Sequence, residues 1–197
     1  MCLDDEGAKN VTLAPDLTQE APPPPIGTAI GRDRRMTTLA DWVEAGVGAM
    51  KEVGTTVLGC GEVEVLRTFD GLDGGTESGA FLPLIGDEVV ELGLLGPEAS
   101  CTFAARSLLG MGPEEEMPPG DVADACCEIL NIASGLVKAH PSGVFEPMKT
   151  GLPLFVRGQV VFHEGVLAAT AQLSFDGVPL SLVVVLRGEA ASHRATT

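Results

Sequence analysis

The chain has 197 residues, 45% of them apolar and 20% charged, with a mean hydropathy of +0.25, so it carries enough apolar material to bury the core of one domain. Lys and Arg total 12 against 28 Asp and Glu, and the net charge of −16, with no Tyr at all, excludes a nucleic-acid backbone or an anionic lipid surface as partner. The run Leu182–Leu186 is strand-sized, far short of the ~18 residues of a membrane span, and the start, Met1-Cys2-Leu3-Asp4-Asp5, lacks the basic and apolar regions of a secretory leader; a cytoplasmic protein without a membrane segment is the expectation.

Residues 1–35 contain Ala21-Pro22-Pro23-Pro24-Pro25, flanked by polar residues without periodicity, and read as a disordered, proline-rich tail. The acidity belongs to the remainder: positions 36–197 hold 22 acidic and 8 basic residues. From Thr38 the pattern turns helical. Leu39, Trp42, Val43, Val47 and Met50 recur at helical spacing, Thr37 or Thr38 serves as the cap, and Gly54 is the expected stop.

A β region follows, with alternation at Glu62–Leu66, turn chemistry at Asp70–Gly75, and a hairpin of Ala80–Ile85 with Val89–Leu95 through Gly86-Asp87. A second helix is predicted from Pro97 to Leu109, ended by Gly110–Pro113, and then an acidic loop, Glu114-Glu115-Glu116. A third helix runs from about Asp121, its expected cap, to Ala139. Leu154–Phe162, Leu167–Phe175 and Pro179–Leu186 are three further strands, joined at Glu164-Gly165 and Asp176-Gly177, most economically as an antiparallel meander. Residues 189–197 read as a frayed end. The fold class is α+β, an antiparallel sheet with packed helices.

The five cysteines, Cys2, Cys60, Cys101, Cys126 and Cys127, are odd in number and lack C-x-x-C spacing, which fits small buried hydrophobes in a reducing compartment better than disulfides or a metal site. His140, His163 and His193 have no ligand spacing. Walker A, G-x-S-x-G and H-E-x-x-H patterns are absent.

At about 100° per residue, Asp124, Glu128, Asn131, Gly135 and Lys138 share one side of the third helix, while Val122, Ala125, Ile129, Ile132 and Leu136 share an apolar arc expected to be buried. Most such polar stripes are only a solvated face. Here the stripe is part of a longer pattern: Asp124, three residues, Glu128, two residues, Asn131, then Gly135, then Pro153, which lies 22 positions after Asn131. This pattern resembles the signature of the CheC/CheX/FliY chemotaxis phosphatases. The segment Glu128-Ile129-Leu130-Asn131-Ile132-Ala133-Ser134-Gly135 is closest to the CheX type. Cys127 stands where the family often has glycine, and the first helix has no E-x-x-N, which again favours the single-site CheX type over the two-site CheC type. The resemblance extends in element order over residues 36–188, a CheX-like domain.

What the resemblance implies is a phosphatase for the aspartyl-phosphate of a CheY-like response regulator. Glu128 and Asn131 would be its catalytic pair, with Asp124 and Gly135 on the partner-binding surface. No metal or cofactor would be its own, the divalent metal, Mg²⁺, being supplied by the phosphorylated regulator. The rival reading is a catalytically silent CheX-like module that binds a regulator or scaffolds signalling proteins. The family also implies homodimers. Leu182–Leu186 is either a central strand, as its continuous apolar run suggests, or an edge completed by a second copy, and the resemblance tips the balance to the dimer.

Overall fold

The computed structural model describes residues 38–72, 76–86, 88–140, 148–162 and 166–187. The expectations for the tail 1–35, the domain limits 36 and 188, the end 189–197, Cys2, Asp73–Gly75, Asp87, His163, the turn at 164–165 and His193 lie outside these residues. Element order is α1 (Leu39–Glu52), β1 (Val63–Asp70), β2 (Thr76–Ile85), β3 (Val89–Gly96), α2 (Glu98–Leu109), α3 (Pro119–Lys138), β4 (Lys149–Thr150), β5 (Leu154–Gln159), β6 (Leu167–Phe175) and β7 (Val178–Arg187).

Thr38 caps α1 through a reciprocal pair: its hydroxyl oxygen accepts from Asp41 N–H at 3.2 Å, and the Asp41 carboxylate accepts from Thr38 N–H at 2.9 Å. Such a cap contributes about 1 kcal/mol. Gly54 does not stop the helix. The chain widens into a π-helical turn, Val53–Val57, and Gly54 lies inside it. A Cβ at Gly54 would fall 2.4 Å from Val63 Cγ2 and 2.9 Å from the Phe175 ring, so the glycine lets this turn seat on β1 and β6. For α2 the expected stop holds: Gly110 adopts φ 64°, and its N–H donates to the Arg106 and Ser107 carbonyls.

All pairings in the seven-stranded sheet are antiparallel, in the order β1-β6-β7-β3-β2, with β4 and β5 both along the outer edge of β2. The β2–β3 and β6–β7 hairpins form as expected. Asp176 and Gly177, at φ 49° and 86°, make the tight β6–β7 turn, and the Asp176 carboxylate also accepts Gly61 and Glu62 N–H at 3.0 and 2.9 Å. The three-strand meander is corrected. β5 pairs with β2, in register Thr76↔Gln159 to Phe81↔Leu154, and β6 pairs with β1 and β7 instead. The last strand is central, between β6 and β3, so it offers no edge to a second copy. The edge strand β1 is interrupted by a bulge at Leu66, between the pairs Val65↔Leu173 and Arg67↔Gln172, which blunts it against further pairing.

The three helices cover one face of the sheet. Leu82, Leu84, Leu92, Leu94, Leu173, Phe175, Leu180, Leu182 and Val184 point into this core with Trp42, Met50, Ile129 and Leu130. The opposite face has a smaller apolar cluster of Leu95, Ala168, Val183 and Val185. The chain leaving β5 and entering β6 packs on it through Val160, Phe162 and Val166. Because both faces are covered, β7 reads as a near-continuous apolar run rather than an alternating one.

Candidate functional site

The third helix begins earlier than its expected cap. Pro118 is the N-cap and Pro119 the first helical residue, where a missing N–H costs nothing; Asp121 falls in the first turn and complements the helix dipole. The helix is then unbroken to Lys138. Its buried residues are Val122, Ala125, Cys126, Ile129, Leu130, Ala133, Ser134 and Val137. Ile132 and Leu136, expected in the core, are only half-buried and pack against its margin; the buried arc is centred further round, on Cys126, Leu130 and Ala133.

Asp124, Glu128, Asn131 and Gly135 are all exposed, one turn apart, on the face away from the sheet. Glu128 and Asn131 touch: Asn131 Nδ2 donates to Glu128 Oε2 at 3.5 Å. Under them, the buried Ser134 hydroxyl donates to the Asn131 main-chain carbonyl at 2.7 Å. A Cβ at Gly135 would meet nothing within 4 Å, so the surface beyond Asn131 is open. Cys127 is half-buried beside this stripe. Burial, and secondarily the charge of Asp124, push its thiol up, so it stays neutral. Lys138 leaves the stripe: it is half-buried and donates to Thr150 Oγ1, joining the end of α3 to β4.

The helix lies along β2. Its Cys126 end adjoins Cys101, whose thiol donates to the Ser78 carbonyl, and its Lys138 end reaches Thr150, which pairs with Leu84. Twelve helical residues at 1.5 Å and six strand residues at 3.3 Å both span roughly 20 Å, so the two elements run side by side in the same direction. Pro153 is exposed, just before Leu154 pairs with Phe81 midway along that span. Its place at the edge of β2, and the tie from Gly151 N–H to the Pro83 carbonyl at 2.8 Å, depend on tertiary packing and carry no sequence signal of their own beyond the spacing. Among the described residues no three His, Cys, Asp or Glu side chains are grouped to hold a metal ion, and no helix is long and apolar enough to cross a membrane.

The family model described as chemotaxis phosphatase CheX matches residues 78–164, from β2 to the end of β5 and beyond. Over those residues the chain is CheX-like. It is similar in fold to the chemotaxis protein CheX of Desulfovibrio desulfuricans, at 15% identity and a TM-score of 0.63, over 75% of this chain and 99% of that one. For CheX of Vibrio vulnificus the values are 16%, 0.61, 75% and 99%. For a chain of the CheX–CheY–BeF3–Mg complex of Borrelia burgdorferi they are 17%, 0.60, 75% and 99%. No curated protein matches the sequence.

Proposed function

We propose that this protein is a phosphatase for the aspartyl-phosphate of a CheY-like response regulator, acting in the cytoplasm in chemotaxis or a related two-component pathway. The observation that carries the proposal is the contact of Glu128 with Asn131 on the exposed face of an unbroken, well-buried helix. An acyl phosphate is already labile, so the enzyme has only to place a water in line with phosphorus and keep it there. Asn131 does this with its carboxamide, which both accepts and donates hydrogen bonds and is not repelled by the phosphoryl oxygens as a carboxylate would be. The water oxygen bonds to phosphorus, the phosphorus–oxygen bond to the aspartate breaks, and the regulator recovers its free carboxylate.

Glu128 serves docking. Held by Asn131 on one oxygen, it has the other free for an ion pair with the regulator's active-site lysine. Asp124 extends this polar contact by one turn, and Gly135 lets the partner's backbone come close to the helix. The regulator brings the Mg²⁺ and most of the charge stabilisation, and this chain contributes no cofactor. The existence of a CheX–CheY complex among proteins of the same fold supports such a partner. The test is phosphate release from a panel of phosphorylated receiver domains with Mg²⁺. Acceleration by the wild type and its loss in Asn131→Ala are expected. Binding without acceleration would assign the chain to the silent, regulator-binding modules.

A further inference from the structure

Two thiols meet in the core on the far side of α3 from its polar stripe. Cys101 of α2 and Cys126 of α3 are 1% and 0% exposed and meet across the helix–helix contact. Cys126 Sγ also lies 3.9 Å from the Cys101 carbonyl oxygen, and Cys101 Sγ donates to the Ser78 carbonyl at 3.3 Å. Neither is bonded to another cysteine. We propose that Cys101 and Cys126 are a dithiol that closes reversibly to a disulfide under hydroperoxide, cross-linking α2 to α3. This goes beyond the phosphatase reading and does not depend on it.

The surroundings divide the labour between the two thiols. Cys101 is in the first turns of α2, where the positive end of the helix favours a thiolate. Its thiol is lowered, chiefly by the Cys126 thiol beside it, against its burial and the charges of Glu77 and Glu98. Cys126 is pushed far up by the same contact and by burial, so it remains the proton-bearing partner. Cys101 is also the thiol close to a helix start. One turn before it, Glu98 pairs with Arg157 at 3.2 Å, and both of these side chains are exposed.

The chemistry balances with the peroxide alone. The Cys101 thiolate attacks one peroxide oxygen, the O–O bond breaks, and with a proton taken up one water leaves and Cys101 becomes a sulfenic acid. The Cys126 sulfur then attacks the Cys101 sulfur, its proton leaves with the hydroxyl as the second water, and the S–S bond forms. Two thiols have lost two electrons and two protons, and one peroxide has become two waters. Since both sulfurs are buried, the first step waits on a local opening of the α2 end, and the reaction is slow beside that of an exposed thiol.

The experiment uses the full chain, reduced and then treated with hydrogen peroxide, quenched by alkylation in denaturant and digested without reductant. The expected product is a peptide pair joined through Cys101 and Cys126, the chain 2 Da lighter by that bond, reversed by dithiothreitol. Cys101→Ser and Cys126→Ala should give none of it, with wild-type circular dichroism showing that each is folded. The oxidised wild type should also unfold at a higher denaturant concentration than the reduced one. Recovery of Cys101 and Cys126 as alkylated thiols after hours in millimolar peroxide would overturn the proposal. So would a bond from either to Cys2, Cys60 or Cys127, or oxidation that stops at sulfinic acid.

Discussion

Helices α1 and α3 are two solutions to one packing problem. Each lays an apolar face on the same side of the sheet, and each leaves a narrow exposed stripe at steps of three and four residues. On α1 the stripe is Ala40, Glu44, Gly48 and Lys51; on α3 it is Asp124, Glu128, Asn131 and Gly135. Both contain a glutamate and a glycine whose absent side chain faces open space. They part three residues after the glutamate. Three residues after Glu128 comes Asn131, exposed, whereas three after Glu44 comes Val47, half-buried against the core. The scaffold therefore supplies rigidity and exposure twice, and in the proposed function the chemistry is specified once, by the Asn131 carboxamide where α1 has Val47.

The comparison yields four expectations, in decreasing order of effect. Asn131→Ala should lower phosphate release from the phosphorylated regulator by about 100-fold, as expected for loss of a group that orients the attacking water. Its thermal midpoint should stay within a degree or so of wild type, because an exposed helix position tolerates alanine within about 0.5 kcal/mol. Glu128→Ala should raise KM about 10-fold, the scale of one charge-assisted contact, with a smaller change in kcat; an unchanged KM with a collapsed kcat would mean that Glu128 is a base and not a docking group.

The two glycines give the third. Gly48→Ala and Gly135→Ala should each stabilise the fold by about 0.5–1 kcal/mol in a denaturant titration, both being helix-interior positions with room for a Cβ. Only at Gly135 should a larger residue, as in Gly135→Leu, weaken regulator binding; equal binding by Gly48→Leu and Gly135→Leu would show that the partner does not approach that end of α3. The fourth is a near-zero effect. Val47→Asn reproduces the Glu–x–x–Asn spacing on α1, yet residue 47 leans into the core margin, so it should neither add activity nor rescue Asn131→Ala in single-turnover assays.

The exposed face of the candidate site was legible in the sequence because it depends on one period. Asp124, Glu128, Asn131 and Gly135 fall together whatever the helix packs on, and an unbroken helix preserves that. Its buried side was less legible. The arc of Val122, Ala125, Ile129, Ile132 and Leu136 runs on to Ile132 and Leu136 at the margin, whereas the true seam also takes in Cys126, Ala133 and Ser134, small residues that let α2 and the sheet come close. The Pro118-Pro119 start was missed for a similar reason: Asp121 looks like a cap, but a proline in the first helical position starts the helix a turn sooner.

In the sheet, hairpins were legible and crossovers were not. Asp176-Gly177 is a local instruction, obeyed by β6 and β7. Glu164-Gly165 is also an acidic residue followed by glycine, but β5 pairs with β2, some eighty residues back, because that partner offers Phe155 a place in the core and Val156 a place on the other face. The π turn at Val53–Val57 is likewise set by what Gly54 meets, Val63 and Phe175, and not by Gly54 itself.

The central position of β7 has a consequence for how the protein is made. β3 and β7 pair in the middle of the sheet although their residues lie about ninety positions apart, and β7 is the last of the described strands in chain order. Until β7 emerges from the ribosome, the β1–β6 and β2–β3–β5 parts have no strand to join them, and β3 and β6 each present an apolar edge. The sheet can therefore close only once β7 is available to pair with both β3 and β6. A chain that terminates before Pro179 is left as two halves with open, sticky edges, a substrate for chaperones and proteases and not a smaller version of the protein.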